Sequence, residues 1–139
     1  MILNEVKINY TRQNGGDEPA KVRETYLVQS VNCSEAEAKA IEEIKPFVFG
    51  GEIDTPQIRK RSIFDIFPAE KSSGNEQWFE AKVEMIVVDG DREIRKGVTI
   101  LVEEGSIEDA LDNLKYGFLK EYDCEVISIK KSPILAIIM

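Results

Sequence analysis

The sequence predicts an α+β fold in which two tandem strand–strand–helix–strand repeats form a mostly antiparallel sheet with two helices, in a pseudo-twofold arrangement. The first observation behind this prediction is that one series of signals occurs twice, at an offset of about 70 to 75 residues. The second is that each copy changes from the two-residue periodicity of strands to the 3.6-residue periodicity of a helix. The first series is Lys7–Tyr10, Arg23–Val28, Ser34–Ala38 and Lys60–Ser62; the second is Lys82–Met85, Gly97–Val102, Ser106–Ala110 and Lys130–Ser132.

The length of the chain predicts one domain that contains both repeats. The 139 residues are about one domain's worth. Each repeat has about 65 to 70 residues, a size at which a separate core is marginal, so we expect the two repeats to share a core. The predicted organisation is a single domain over 1–139, with repeat one at about 1–67, a linker at 68–77 that is polar and contains Gly and Pro, and repeat two at about 78–139.

The first repeat opens with a predicted hairpin. Apolar and polar residues alternate over Glu5–Thr11, which is the pattern of a half-buried strand. The glycines of Asn14–Asp17 predict a turn, and a second strand follows over Lys21–Val31. The two strands are therefore expected to pair directly with each other.

A helix and a third strand complete the first repeat. Ser34 is followed three residues later by Glu37, so Ser34 is the predicted N-cap of a capping box. The helix is expected to end at Pro46. The apolar turn Phe47–Gly51 is then expected to tuck under the sheet, and a third strand is expected over about Gln57–Phe67.

The second repeat follows the same order. Phe79–Val87 alternates as a strand, Asp89–Gly90 is a hairpin turn signal, and Glu93–Val102 returns as the second strand. Ser106, with Asp109 three residues later, predicts the second helix cap. The remaining apolar segments are the helix stripe (Ile107, Ala110, Leu111, Leu114 and Phe118), a strand at Cys124–Ile129 and the C-terminal Ile134–Met139, which we expect to be a buried last strand or else a surface that pairs with a second copy or a partner.

The order of elements also predicts strand directions. A helix that joins the second and third strands of a repeat is expected to form a right-handed crossover, which makes those two strands parallel. The first strand can then lie between them, antiparallel to both. Two such repeats suggest one sheet of about six strands with both helices on one face. Two small sheets and a closed barrel remain open alternatives.

Composition excludes several classes of function. The chain has no histidine, which removes the commonest general base, the Ser–His and Cys–His nucleophiles and most zinc sites. No cofactor or metal is therefore expected, and Cys33 and Cys124 are expected to be reduced thiols. The net charge of −8 disfavours duplex DNA and anionic membranes. The N-terminus lacks a secretory signal pattern and no apolar run is long enough to span a bilayer, so we expect the cytoplasm of a bacterial or phage-infected cell.

Matched basic groups are the main candidate site. In a pseudo-twofold protein, the groups that end each repeat could share one surface, and aromatic residues beside them could stack on the bases of a single nucleic-acid strand. The alternative interpretation is that lysine and arginine protect exposed strand edges from aggregation. Phe64 and Tyr122 are further aromatic candidates near these groups. The candidate residues are Arg59, Lys60, Arg61, Trp78, Lys130 and Lys131.

Three stretches of the chain resemble a known family. They are Trp78–Val83, the segment from Tyr26–Val28 through Ser34–Ala38, and Ile58–Arg61 followed by Ile63–Phe67. They are similar to an uncharacterised family, a domain of unknown function, of short proteins from gut Bacteroidales and their phages or mobile elements. The resemblance spans most of the chain and implies a small accessory protein of a phage or mobile element. It implies no activity.

Together these observations predict a non-enzymatic, acidic accessory protein that acts by binding a protein partner or by self-assembly. The absence of catalytic signatures and the acidic composition support this hypothesis. The alternative hypothesis is a single-stranded nucleic-acid-binding protein that uses the matched basic groups and Trp78. The expected partners are thus a protein or a second copy of the chain, with single-stranded nucleic acid as the alternative and no membrane.

Overall fold

The computed structural model describes residues 1–70 and 73–139, and the chain forms two compact units. The N-terminal unit contains Ile2–Ser62 and Pro133–Met139, and the C-terminal unit contains Met1 and Ile63–Ser132. Each unit holds one four-stranded sheet and one α-helix. Residues 71 and 72 of the predicted linker lie outside the described residues.

The N-terminal unit is built around a long hairpin. Its strands lie in the order β3-β1-β2-β8, with β1 antiparallel to both β2 and β3 and with β8 parallel to β2. Glycines at positive φ, Gly15 at 52° and Gly16 at 109°, form the hairpin turn, as the sequence predicts. The elements are β1 (Ile2–Asn14), β2 (Asp17–Val28), α1 (Cys33–Ile44), β3 (Val48–Ser62) and β8 (Ile134–Ile138).

Helix α1 begins earlier than the sequence predicts. Its N-cap is Asn32, whose side-chain oxygen accepts a hydrogen bond from the Glu35 backbone N–H at 2.8 Å, so the prediction of Ser34 as the cap is wrong. The Glu35 carboxylate in turn accepts from the Val31 N–H at 3.2 Å. Strand β2 ends at Val28 rather than Val31, which leaves Asn32 free to adopt the extended cap conformation. The helix then packs Ala36, Ala40 and Ile44 against Val6, Ile8, Tyr10, Tyr26 and Val28.

The C-terminal unit repeats the same hairpin, helix and strand. Its strands lie in the order β4-β6-β5-β7, with β5 antiparallel to both β6 and β7 and with β4 parallel to β6. The prediction of Ser106 as the second helix cap is confirmed, because its hydroxyl accepts from the Asp109 N–H at 3.2 Å. The elements are β4 (Asp65–Phe67), β5 (Gln77–Asp89), β6 (Arg92–Glu104), α2 (Ile107–Asn113), a π turn (Leu114–Phe118) and β7 (Cys124–Lys131).

The core of the C-terminal unit lies between its helix and its sheet. Ala110 and Leu114 pack against the helix-facing side of β5 and β6. The π turn carries Phe118 onto Phe67 of β4, with the rings stacked at 3.9 Å. Of the apolar stripe predicted for the second helix, Ala110, Leu114 and Phe118 contribute to the core, whereas Ile107 is 37% exposed and Leu111 lies outside the cluster. The buried members of the cluster are Phe79, Ala81, Val83, Met85, Ile100, Val102, Ala110, Leu114 and Leu119.

The predicted α+β class, the repeated order of elements and the strand directions are confirmed. In each unit the second and third strands of the hairpin–helix–strand repeat are parallel, with the first strand between them. The prediction of one sheet of about six strands is wrong, because the strands divide into two sheets of four, and two sheets were one of the open alternatives. The short strand after each third strand is exchanged: β4 follows repeat one but pairs with β6, and β8 follows repeat two but pairs with β2.

Two local predictions in the first repeat are wrong. The third strand does not run over Gln57–Phe67, because β3 already begins at Val48, ends at Ser62 and is separate from β4. The segment Phe47–Gly51 does not tuck under the sheet: the Phe49 side chain is 61% exposed and lies on β3. The C-terminal segment is a strand, as expected, with Ile134 buried.

Candidate functional site

The arginines of the predicted cationic patch bind a buried carboxylate. Arg59 and Arg61 of β3 flank Glu5 of the neighbouring strand β1. The Glu5 Oε2 atom lies 2.6 Å from Arg59 Nε and 3.3 Å from Arg61 Nη1, and its side chain is 4% exposed. Burial raises the pKa of Glu5, but the hydrogen bonds and charges of the two arginines outweigh burial and hold this pKa below its ordinary value.

The second repeat has an equivalent pair. Lys130 of β7 lies opposite Glu80 of β5, and Lys130 Nζ is 3.8 Å from Glu80 Oε2. Glu80 is buried, as Glu5 is. Glu5 and Glu80 were missed at the level of sequence, although each is the fourth residue of the first strand of its repeat. The repeated basic groups thus accompany a repeated buried carboxylate, which gives them a structural role.

The remaining candidates for nucleic-acid binding differ in exposure. Trp78 is 7% exposed, so its ring is not presented to solvent. Lys60 and Lys131 are exposed. Arg59, Lys60 and Arg61 lie together on β3 of the N-terminal unit, and Trp78, Lys130 and Lys131 lie on the adjacent strands β5 and β7 of the C-terminal unit. The aromatic candidates Phe64 and Tyr122 are exposed and contact each other edge to face at 6.4 Å.

The end of the β5–β6 hairpin projects beyond the rest of its sheet. Strand β7 pairs with β5 over Phe79–Met85, and β4 pairs with β6 over Ile100–Val102. The hairpin continues past both, and Ile86 to Asp89 pair one-to-one with Arg95 to Arg92. We call residues 86–95 the ribbon. In the described pairing, the ribbon is two-stranded.

Apolar side chains of the ribbon are exposed. Val87 lies opposite Ile94 in the register, and these side chains are 48% and 44% exposed, while Val88 is 74% exposed. Val87 and Ile94 continue the face that carries the core residue Met85. The cause is length: a 13-residue strand spans roughly 44 Å, whereas α2 and the π turn that continues it form 12 helical residues that span roughly 18 Å, so they cannot cover the whole face.

The equivalent end of the first hairpin is covered. Strand β3 pairs with β1 as far as Arg12, whose guanidinium lies 4.3 Å from the centre of the Phe47 ring. The Tyr10 and Tyr26 hydroxyls donate to Glu24 Oε1 at 2.6 and 2.9 Å. Burial, and then the bond to Glu24, raise the pKa of Tyr26. The first repeat therefore closes its hairpin end with a third strand and a polar cluster, whereas the ribbon has neither in the described residues.

The described residues also include two free thiols and a surface cavity. Within residues 1–70 and 73–139, no cluster of three or more Asp, Glu or Cys side chains is placed to hold a metal ion. Cys33 and Cys124 are free thiols. A surface cavity of 460 Å³ lies beside the π turn. Its residues are Pro68, Ala69, Glu70, Glu104, Asn113, Gly117 and Phe118. Across the described residues, no helix has the length and apolar character that spanning a membrane requires.

These features define a two-unit α+β protein in which two hairpin–helix–strand repeats exchange their short last strands. The chain belongs to the family named Domain of unknown function (DUF4494), whose family model matches residues 3–139. The predicted resemblance to a family of unknown function is confirmed to that extent. Neither a curated protein nor a solved structure gave a match to the chain.

Proposed function

We propose that this chain is a non-enzymatic accessory protein that binds a protein partner through the ribbon. The observation that carries the proposal is the cross-strand pair Val87 and Ile94, which is exposed on a two-stranded segment and continues the face that carries Met85 of the core. Val88 is exposed on the opposite face of the same segment. Contiguous exposed apolar side chains with polar surroundings are typical of interaction surfaces. Two strands without a covering layer are also marginally stable in water. A partner that packs on them would stabilise both the two-stranded segment and the complex.

The charged groups of the molecule support a binding role more than a catalytic one. The most buried carboxylate, Glu5, is held by Arg59 and Arg61, and Glu80 lies beside Lys130. A general acid or base needs a pKa close to the working pH, whereas the pKa of Glu5 lies below its ordinary value. We assign these pairs to the stability of the fold.

Loss of the ribbon's apolar side chains is expected to remove partner binding. We expect the Val87→Ser/Ile94→Ser variant to bind the partner at least about tenfold more weakly, because two half-buried contacts are lost. The tagged chain is used to capture partners from the cell that makes it, and affinity is then measured with each purified partner. Sedimentation velocity of the parent and of the variant, each without a partner, measures whether the chain self-associates through the ribbon.

The matched control is Tyr116→Ser/Ile127→Ser, which removes two exposed apolar side chains outside the ribbon. The control is expected to bind as the parent does. A partner that binds the ribbon variant and the parent equally would contradict the proposal, as would equal losses in the ribbon variant and the control. If the parent and the control self-associate but the ribbon variant does not, the ribbon serves self-assembly.

Binding of single-stranded nucleic acid is the second candidate, and the exposure of Lys60 and Lys131 favours it. The ion pairs of Arg59, Arg61 and Lys130 and the burial of Trp78 reduce the charge and the ring surface that it could use. We expect short single-stranded DNA or RNA to leave Trp78 fluorescence unchanged at low salt. Quenching that weakens steeply as salt is raised would establish phosphate contacts and favour this alternative.

We further propose a role in the cytoplasm of a bacterial or phage-infected cell, as an accessory protein of a phage or mobile element. The support for the location is that Cys33 and Cys124 are free, as is usual in a reducing compartment. The support for the origin is the sequence resemblance described above. Fractionation of the cell that makes the protein, with detection of the chain in the soluble or the secreted fraction, tests the location.

A further inference from the structure

We propose that the open edge of β6 at residues 92–98 takes up an extended, acidic segment of the partner protein as an added strand. This inference rests on the proposed function and specifies the chemistry of the partner. It concerns the backbone edge of β6, whereas the proposed function concerns the apolar side chains of the ribbon. The two can therefore be tested separately.

The backbone of β6 presents hydrogen-bonding groups along this edge. The Phe64 N–H donates to the Thr99 carbonyl at 2.8 Å, on the side of β6 that faces away from β5. Backbone groups alternate sides along a strand, so Glu93, Arg95 and Gly97 also direct their N–H and C=O groups away from β5. The Ile86 N–H on β5 donates to the Asp123 carbonyl at 2.9 Å, so the backbone N–H of Ile86 points away from β6. Arg95 lies directly opposite Ile86, and its backbone groups therefore point away from β5, which agrees with this alternation.

The first repeat protects the equivalent edge, and the second does not. Just after β2, the Gln29 N–H donates to the Ile138 carbonyl, so the odd-numbered residues from Lys21 to Leu27 face outward. Pro19 lies just beyond this edge, where the β1–β2 register shifts between Ala20 and Asp17. Proline has no N–H and blunts a strand edge. When Tyr26–Val28 is aligned with Ile100–Val102, Pro19 corresponds to Glu93, which keeps its N–H.

The edge of β6 is also regular. The β5–β6 ladder pairs every residue from Gln77 to Asp89 in continuous register, without a bulge among these described residues. By contrast, β3, the long edge strand of the other sheet, has register shifts against β1 and contains Pro56. Bulges and prolines discourage strand addition. The β6 edge is therefore the better template for an incoming strand.

The side chains of the edge specify an acidic partner. Three basic residues, Arg92, Arg95 and Lys96, are exposed on β6. The same segment contains one acidic residue, Glu93. Arg95 also lies 3.5 Å from Glu84 and 3.8 Å from Glu125 at a half-exposed position, where such pairs are weak and can be exchanged. An added strand would lie directly beside these three cations and Glu93, whereas Asp89 and Glu84 are on β5, one strand further away, so charge complementarity along β6 favours an anionic strand. Recognition would follow the β-augmentation mode, with main-chain hydrogen bonds for affinity.

The test transfers the proline of the first repeat to the second. In Glu93→Pro the edge loses an outward N–H, while the β5–β6 ladder keeps its bonds, because that N–H points away from β5. The control is Glu93→Ala, which removes the charge and keeps the N–H. The probe is a short capped peptide of alternating valine and glutamate, and the readout is the change in amide chemical shifts by NMR together with the affinity that these changes give.

We expect the probe to shift the amides of Glu93, Arg95 and Gly97 in the parent and in Glu93→Ala, with binding at least about tenfold weaker in Glu93→Pro. The unperturbed amide spectrum outside the ribbon shows that each variant is folded. The same peptide with lysine in place of glutamate is expected not to bind. Equal affinity for Glu93→Pro and the parent would overturn the proposal, and so would equal binding of the lysine peptide. A dimer of the parent that Glu93→Pro abolishes would make a second copy the occupant and would overturn the acidic partner.

The captured partner separates this inference from the proposed function. If the partner is lost by Val87→Ser/Ile94→Ser but retained by Glu93→Pro, the ribbon binds through its apolar face and strand addition is wrong. If both ribbon variants bind the partner as the parent does, the proposed function itself fails. Loss of the partner in both, with retention in Glu93→Ala, supports both statements.

Discussion

Removal of Pro133–Met139 is expected to destabilise the N-terminal unit more than any single substitution that we consider. These residues form β8, which pairs with β2 and contributes Ala136 and Ile138 to the core between the sheet and α1. Ile134 is buried as well. Loss of these contacts is expected to lower the free energy of unfolding of this unit by about 5 kcal/mol, from about 2 kcal/mol for each of the two isoleucines and about 1 kcal/mol for the alanine.

Amide hydrogen exchange measures the loss of stability in each of the two units separately. The amides of β2 over Thr25–Val28 are expected to lose most of their protection in the truncated chain, because their neighbouring strand is missing. Removal of the exposed Met139 alone is the control and is expected to change protection little. Unchanged protection of β2 in the truncated chain would show that the exchanged strand contributes no stability to the unit that it joins.

The double substitution Arg59→Met/Arg61→Met is expected to cost about 3 to 5 kcal/mol of folding free energy at neutral pH, because it leaves Glu5 as a buried and uncompensated charge. Methionine keeps most of the volume and removes both guanidinium groups. Lys60→Met changes an exposed residue of the same strand and is the control, with an expected cost under about 0.5 kcal/mol. Chemical denaturation at several pH values measures the free energy of unfolding of the parent, the double variant and the Lys60→Met control.

The effect of pH on this variant has a definite sign. In the parent the pKa of Glu5 is lowered, so its contribution to stability is present above the ordinary carboxylate pKa and is lost as pH falls through the lowered value. In the variant, burial without the arginines raises the pKa of Glu5, so protonation relieves the buried charge. The difference between variant and parent should therefore shrink as pH is lowered. A difference that is constant between neutral and acidic pH would contradict this role for the arginines.

Local signals in the sequence were sufficient for most of the fold. Alternation located the long strands, Gly15 and Gly16 located the first turn, and Ser106 located the second helix. The first helix cap was placed two residues late because Ser34 and Asn32 are both good caps, and their choice depends on where β2 ends. The segment Phe47–Gly51 is apolar in composition, but pairing with β1 makes it part of an edge strand.

Long-range pairing decided what the sequence could not. Alternation placed Glu5 on the face opposite Val6 and Ile8, which suggested solvent, but the register puts it beside Arg59, 54 residues away in sequence. The same register explains why the basic residues were identified as a surface group and their carboxylate partner was missed. No local signal predicts that β4 pairs with β6 and β8 with β2, because the sequence of a short strand does not indicate which hairpin it joins.

The ribbon could not be identified from its own sequence. Val87, Val88 and Ile94 fit a strand core as well as they fit an exposed surface. Their exposure follows from one distant boundary: β7 begins at Cys124, opposite Met85, so no third strand pairs with β5 beyond that point in the described residues. In the first repeat β3 is 15 residues long and covers the same region. The difference in coverage between the two hairpin ends thus comes from the length of the third strand.

The most direct test of the central claim is amide hydrogen exchange of the parent chain with and without its captured and purified partner. We expect the amides of the ribbon, residues 86–95, to exchange rapidly in the free chain and to become protected in the complex. We also expect amides of the N-terminal hairpin, which β3 already covers, to change little. Protection that appears elsewhere in the chain, with the ribbon unchanged, would contradict the claim that the ribbon is the binding surface.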